Sequence, residues 1–335
     1  MLRFLLKNPL YSFIFSAFFV AGCGMVWGGI NTGFKFPNKI WVFGGYYYQT
    51  NTLFNTVYTS GDGGATWTTP TDAVLPAITS SGFPVVWQNY IYYIGGTTPD
   101  GNSDMNFVWS TQDGVNWNTN RTLPAVRADG LTLTFNGCIF EIGGTSNDEG
   151  NGALSSVLES CDGGTTWNTV GNLPNPIFLP CGTVYNNQMW VIGGATGAVN
   201  WTLYDQVYSS TDGTNWTLQG TYPYPVYSCR ATVFNDAIYV IGGSNVQYNV
   251  SPVKSDVYAS TNGSSWNLIG NLPGNRANGG LVVFNGNLIY IGGASGTWQT
   301  ATVNTVFSSP TGATGTWTTY TLPQALSFLD NAVVF

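Results

Sequence analysis

The chain has 335 residues, of which 43% are hydrophobic, 15% aromatic and only 7% charged, so it carries ample apolar surface for a packed core and no signature of global disorder. Its formal charge is −7, from 9 basic and 16 acidic residues, and phosphate binding needs clustered Lys and Arg, so nucleic acid is a poor partner. There is no histidine, which excludes Ser-His-Asp hydrolysis.

Residues 1–23 read as an export signal: a short basic segment with Arg3 and Lys7, an apolar run from Pro9 to Ala21, then small residues. The run is too short for a comfortable membrane span. Its end, Val20-Ala21-Gly22-Cys23, resembles a bacterial lipobox, which implies that Cys23 becomes the acylated first residue of a lipoprotein held at the cell surface or in the periplasm. An ordinary cleaved signal giving a secreted protein, and a retained anchor, are the other two readings. In each of them the only membrane contact runs through the N-terminal lipid or signal. Residues 24–36 read as a linker and residues 37–335 as one repeat domain. With Cys23 set aside, Cys138, Cys161, Cys181 and Cys229 remain, an even number that permits disulfides in an exported chain.

From Trp41 onward a glycine pair after an apolar run recurs: Trp41-Val-Phe-Gly-Gly45, Tyr92-Tyr-Ile-Gly-Gly96, Phe140-Glu-Ile-Gly-Gly144, Trp190-Val-Ile-Gly-Gly194, Tyr239-Val-Ile-Gly-Gly243 and Ile289-Tyr-Ile-Gly-Gly293. Six tryptophans (Trp67, Trp117, Trp167, Trp216, Trp266 and Trp317) keep the same period of about 50 residues. Two markers sharing one period specify six copies of one unit. Each unit reads as four strands. Strand A ends in sequences such as Leu281-Val-Val-Phe284, an Asn-Gly turn leads into strand B, strand C is typified by Val207-Tyr-Ser-Ser210, and strand D starts at the tryptophan. The fold class is therefore all-β: a six-bladed β-propeller with four antiparallel strands per blade. Leu329 to Phe335 match a strand A, whereas the repeat begins at strand B near Trp41, so the C-terminal strand should complete the first blade. This register sets Cys138 beside Cys161 within blade 3 and places Cys181 and Cys229 at the start of neighbouring inner strands, which predicts those two bridges.

The glycine pairs and tryptophans resemble those of kelch propellers over residues 37–335. The turns between strands C and D resemble the Asp-box of sialidases: Ser60-Gly-Asp62-Gly-Gly64, Thr111-Gln-Asp113-Gly114, Ser160-Cys-Asp162-Gly-Gly164, Ser210-Thr-Asp212-Gly213 and Ser260-Thr-Asn262-Gly263. That resemblance implies that Asp62, Asp113, Asp162, Asp212 and Asn262 hold their own turns together and lie away from any active site. The sixth copy, Thr311 to Trp317, departs from the pattern.

With strand A innermost, the D-to-A and B-to-C connections share one face around the channel, and kelch proteins usually bind there. Arg127, Arg230 and Arg276 fall at or just before strand A, Asp129 and Asp330 occupy similar places, and Glu141 interrupts an apolar strand B. Three guanidiniums at one mouth would clamp a carboxylate. Sialidases and N-acetylneuraminate epimerases, which the sequence resembles at the level of fold, hold acidic sugars with arginines, and Glu141 is the candidate acid or base. The competing reading makes the arginines braces between loops, with Arg127 as the partner of Glu141. Tyr47, Trp201 and Trp298, together with other aromatic and amide residues of the B-to-C loops, suit sugar faces or a protein surface and equally suit packing on one another. Asp100 to Asp104 alternates like a calcium loop but lacks the later Gly and Glu, so no metal is assigned. Neither a Walker loop nor a dinucleotide fingerprint is present, and no cofactor is implied. The leading expectation is an exported, non-catalytic binding module for glycan or a surface protein. An acidic-sugar enzyme (epimerase or sialidase-like) is the first alternative and a structural subunit of a surface assembly the second.

Overall fold

The computed structural model describes residues 38–98, 103–146, 152–198, 200–246, 253–296, 301–327 and 332–335. Cys23, Trp298 and Asp330 lie outside these residues, as do the leader and linker.

Strands β1 (Ile40–Tyr47) and β2 (Thr52–Ser60) flank a single 3-10 turn at Tyr48–Thr50. The next sheet contains β3 (Phe83–Trp87), β4 (Tyr90–Ile94), β5 (Phe107–Thr111) and β6 (Asn118–Thr122). It is followed by β7 (Leu131–Phe135), β8 (Cys138–Ile142), β9 (Leu154–Ser160) and β10 (Asn168–Ile177). The fourth sheet has β11 (Cys181–Tyr185) and β12 (Gln188–Ile192), then a small separate hairpin of β13 (Ala195–Thr196) and β14 (Thr202–Leu203), then β15 (Gln206–Ser210) and β16 (Thr217–Thr221). The fifth has β17 (Arg230–Phe234), β18 (Ala237–Ile241), β19 (Asp256–Ser260) and β20 (Asn267–Asn271). The sixth has β21 (Gly280–Phe284), β22 (Asn287–Ile291), β23 (Thr305–Ser309) and β24 (Thr318–Thr321), and β25 (Ala332–Val334) ends the chain.

Each sheet is one blade of a six-bladed propeller. The inner strands β25, β3, β7, β11, β17 and β21 follow one another around the axis and return to β25. β25 pairs with β1 through Ile40–Val334, Trp41–Val333 and Val42–Ala332, so the tail completes the first blade as the register of the repeat requires. This leaves no inner edge unpaired. Five blades carry a full four-stranded ladder. In the first, the outer strand is reduced to two isolated bridges to β2, an exchange of main-chain hydrogen bonds between Thr59 and Thr68 and a contact of Val74 with Thr56, because Pro70 between them has no N–H to extend the ladder. Strand D in the other blades begins one residue after the tryptophan, not at it, because the indole belongs to the turn.

The alternation within strand B explains how a thin blade buries two faces. Ile238 and Val240 of β18 enter a core shared with the fourth blade, whereas Tyr239 and Ile241 enter a core shared with the sixth. Ile40 and Val42 of β1 likewise face the sixth blade, with Trp41 and Phe43 facing the second. Six inter-blade cores result, and each takes one repeat tryptophan: Trp67, Trp117, Trp167, Trp216, Trp266 and Trp317. The period of about 50 residues is thus the spacing of one wedge per interface.

The glycine pairs join blades through main-chain bonds. The second glycine N–H donates to a carbonyl of the segment that leads to the next blade in Gly96–Arg127, Gly144–Ile177, Gly194–Val226, Gly243–Arg276 and Gly293–Leu326, at 2.8 to 2.9 Å. At Gly95, with φ +62, a Cβ would collide with the Arg127 carbonyl. Glycine is needed both for the backbone angle and for this approach. Both predicted disulfides form: Cys138–Cys161 across β8 and the end of β9, and Cys181–Cys229 between the inner strands of the fourth and fifth blades. Two disulfides fit a protein that works outside the reducing cytoplasm.

Candidate functional site

The channel opens among the six inner strands as a cavity of about 220 Å³, lined in part by Thr132, Thr183, Arg230 and Leu281. Its loop-face end is fixed by a belt of main-chain bonds. Ser81, Asp129, Leu179, Ser228 and Asn278 lie two residues before strand A of successive blades, and each holds φ between 51° and 56°. The N–H of Asp129 donates to the Ser81 carbonyl, Leu179 to Asp129, Ser228 to Leu179 and Asn278 to Ser228, at 2.7 to 3.4 Å. Left-handed backbone at non-glycine residues is unfavourable, and it is retained here because it aims each peptide at its neighbour around the axis. Asp129 is therefore a member of this belt as well as a carboxylate near the mouth.

The three arginines do not occupy one surface. Arg127 is 5% exposed; its Nη1 donates to the Gly143 carbonyl and to the Ser156 carbonyl at 3.2 Å, and its Nη2 to Ser156 Oγ at 2.7 Å. Together with the bond from Gly96 N–H to its own carbonyl, this ties the glycine pairs of the second and third blades. Arg276 is its counterpart in the sixth blade. Its guanidinium donates to the Asn275 carbonyl at 2.6 Å and to Thr305 Oγ1, and lies 4.7 Å from the centre of the Phe307 ring. Arg230 alone of the three lines the channel, with Nε donating to the Gly279 carbonyl and Nη1 to the Cys229 carbonyl at 2.6 Å.

Glu141 lies within β8 opposite Thr132 of β7 and accepts a hydrogen bond from the Thr132 hydroxyl. Burial pushes its carboxyl up to about 7, while the Thr132 hydroxyl and the Arg127 charge pull the other way. The Arg127 donors go to Gly143 and Ser156, so the influence of Arg127 on Glu141 is electrostatic and not that of a close ion pair. Thr132 links this carboxyl to the channel wall and carries no marker in the sequence. The signal that finds it is register, since Thr132 is the residue facing Glu141 across the A-to-B ladder.

Among the loop aromatics, Trp201 packs edge-on against Phe178 at 4.8 Å and Tyr227 at 5.3 Å, and Tyr46 joins the same cluster. Tyr47 ends β1 half-buried, and Gln49 Nε2 donates to the Thr302 carbonyl at 3.2 Å.

The C-to-D turns sit at the opposite face. Asp62 accepts from Thr66 N at 2.9 Å, Asp113 from Asn116 N at 2.7 Å, Asp162 from Thr166 N at 2.9 Å, Asp212 from Asn215 N at 2.9 Å and Asn262 from Ser265 N at 2.9 Å. The Thr166 N–H holds the Asp162 carboxyl down to about 2, and the Asn215 N–H does the same for Asp212. At Asp113 desolvation pushes upward, and the bonds from Asn116 and Val115 still bring the carboxyl to about 2. Among the described residues Cys138, Glu159 and Cys161 lie close enough to hold a metal, but the two sulfurs are joined to each other.

No protein-family model matches the chain, and no curated protein matches it. Among solved structures it is similar to one titled "Structure of YjhT", with a TM-score of 0.65 and 17% identity over 83% of this chain and 96% of that one. That likeness carries the fold alone.

Proposed function

We propose that this propeller is an exported, non-catalytic binding module that engages a glycan or a surface protein through its loop face. The observation that supports this reading is the placement of the guanidiniums. Arg127 bonds Gly143 and Ser156, Arg276 bonds Asn275 and Thr305, and Arg230 alone of the three lines the channel, which favours braces over a three-arginine clamp. What remains at that face is aromatic, amide and hydroxyl surface around Tyr47 and Trp201, the composition that recognises sugars and protein loops. The glycine pairs, tryptophans and turn aspartates support grouping the chain with kelch-type propellers bearing Asp-box turns. The Cys23 motif and the two disulfides support a lipoprotein outside the cytoplasm.

A glycan array probed with the wild type and with Trp201→Ala and Tyr47→Ala tests this. Binding reduced at least about tenfold by either change supports the loop face, and binding indifferent to both overturns it.

The acidic-sugar enzyme keeps one observation in its favour. Glu141, with a carboxyl near 7, touches the channel-lining Thr132, and Arg230 lines the same channel. Following N-acetylneuraminate by proton NMR decides between the two. Interconversion or hydrolysis that disappears in Glu141→Gln would replace the binding reading.

A further inference from the structure

A second cavity, of about 380 Å³, lies at the turn face between the second and third blades, away from the channel. Its origin is visible in the strand register. In β10, β16 and β20 the residues paired with Val157, Val207 and Val257 are Gly171, Gly220 and Gly270. A Cβ at Gly171 would come within 2.5 Å of the Gly213 carbonyl, and one at Gly220 within 2.8 Å of Ser264 Cα. A Cβ at Gly270 would meet Thr314 N in the same way. In those blades the turn of the following blade rests directly on the glycine. In β6 the residue paired with Val108 is Arg121. The turn at Asp162 packs on Trp87, Tyr92 and Val108 through Gly163 and Gly164, but at β6 the Arg121 side chain stands where the other blades offer a bare glycine, and the cavity opens between that strand and the turn.

The lining is suited to a ligand. Arg121 is half-buried, donates from Nη1 to Ser110 Oγ at 3.2 Å and lines the cavity together with Tyr92, which leaves the rest of its fork at the cavity. The neighbouring Asp162 carboxylate does not compete for it, because Ser160, Thr165 and Thr166 already bond its oxygens. The Trp87 indole is fixed by its bond to the Gly137 carbonyl at 2.7 Å and meets the Tyr92 ring at 5.9 Å, with Tyr90 beside it and partly in solvent. Asn118 adds an exposed amide.

We propose that this inter-blade cavity binds a sugar carrying a single carboxylate, of the hexuronate class. The guanidinium pairs with the carboxylate, the Trp87 and Tyr90 rings cover the C–H face of the pyranose over the buried Tyr92, and Asn118 meets a hydroxyl. A single cation matches a single carboxylate, and the Asp162 charge on the same wall disfavours phosphate or a polysulfated chain. The volume takes one or two pyranose rings. The site is separate from the loop face and stands independently of the function proposed for it.

The test is calorimetric titration of the whole protein with methyl β-D-glucuronide and with neutral methyl β-D-glucoside. Arg121→Gly places at this position the residue three other blades already use, so the blade retains its fold, and Arg121→Gln removes only the charge. The glucuronide is expected to bind at least about tenfold tighter than the glucoside, and both variants to lose at least about tenfold of that affinity. No binding of either glycoside, equal binding of the two, or glucuronide affinity unchanged in both variants overturns the proposal. Binding that survives in both Arg121 variants and is lost in Trp201→Ala also overturns it and assigns the sugar to the loop face.

Discussion

At Glu141 a charged residue type sits where its charge is unwelcome, and the pH dependence of folding should report it. The carboxyl titrates near 7 when folded, against about 4.5 when unfolded. Below 4.5 both states hold the proton and the group contributes nothing to the balance. Between 4.5 and 7 only the unfolded chain releases it, so stability falls as pH rises, by roughly 3 kcal/mol in all, and is level above 7. Glu141→Gln is expected to flatten this slope in urea unfolding followed from pH 5 to pH 8. An unchanged slope in the variant would assign the titration to another group. The turn aspartates act in the opposite direction and in another window: the stability they supply is present above about 3.8 and lost as pH falls toward 2. Residue identity was enough to single out Glu141, Arg127 and Arg276 in the sequence. It was not enough to say that both arginines turn their forks to loop carbonyls and to the Ser156 and Thr305 hydroxyls, because an arginine before an inner strand reads the same whether it faces a channel or a loop.

Between blades, the relevant element is the strand-D glycine on which the neighbouring turn rests. Gly171→Ala is expected to destabilise the protein by about 1–3 kcal/mol, since the added methyl would meet backbone and not a yielding side chain. Gly61→Ala, where nothing lies within 4 Å and φ is ordinary, is the control and is expected to be neutral or slightly stabilising. Thermal unfolding of the two variants side by side checks the pair, and equal melting temperatures would remove the seating argument that also explains the Arg121 cavity. The glycines are plain in the sequence, but their meaning required the register. Arg121, Gly171, Gly220 and Gly270 each stand four residues after a repeat tryptophan, but that each of them faces a valine comes from the bulged C-to-D ladders, whose irregularity the repeat spacing does not reveal.

For the whole molecule the joint between β25 and β1 decides whether six blades make a ring. Lys39 and Phe335 exchange main-chain bonds at 2.8 and 2.9 Å, Trp41 Nε1 donates to the Phe335 carbonyl at 3.3 Å, and Val333 faces Trp41. Val333→Pro removes a ladder N–H from the inner strand and is expected to cost about 3 kcal/mol or more. A single cooperative melting transition at lower temperature, together with concentration-dependent light scattering from the opened edges, is the expected result. Unchanged melting would show that the ring does not depend on this joint.

The sequence by itself determined the number of blades, the strand that closes them, the pairing of the four cysteines and the self-contained turns. Each of these rests on local chemistry repeated at a fixed period, or on which strands must lie side by side. Only the tertiary structure decided which polar groups face space and which face backbone. The main-chain belt through Asp129, the bond from Thr132 to Glu141 and the opening beside Arg121 all depend on how closely one blade approaches the next. That distance is set by contacts between residues some 50 positions apart, and no single repeat carries it.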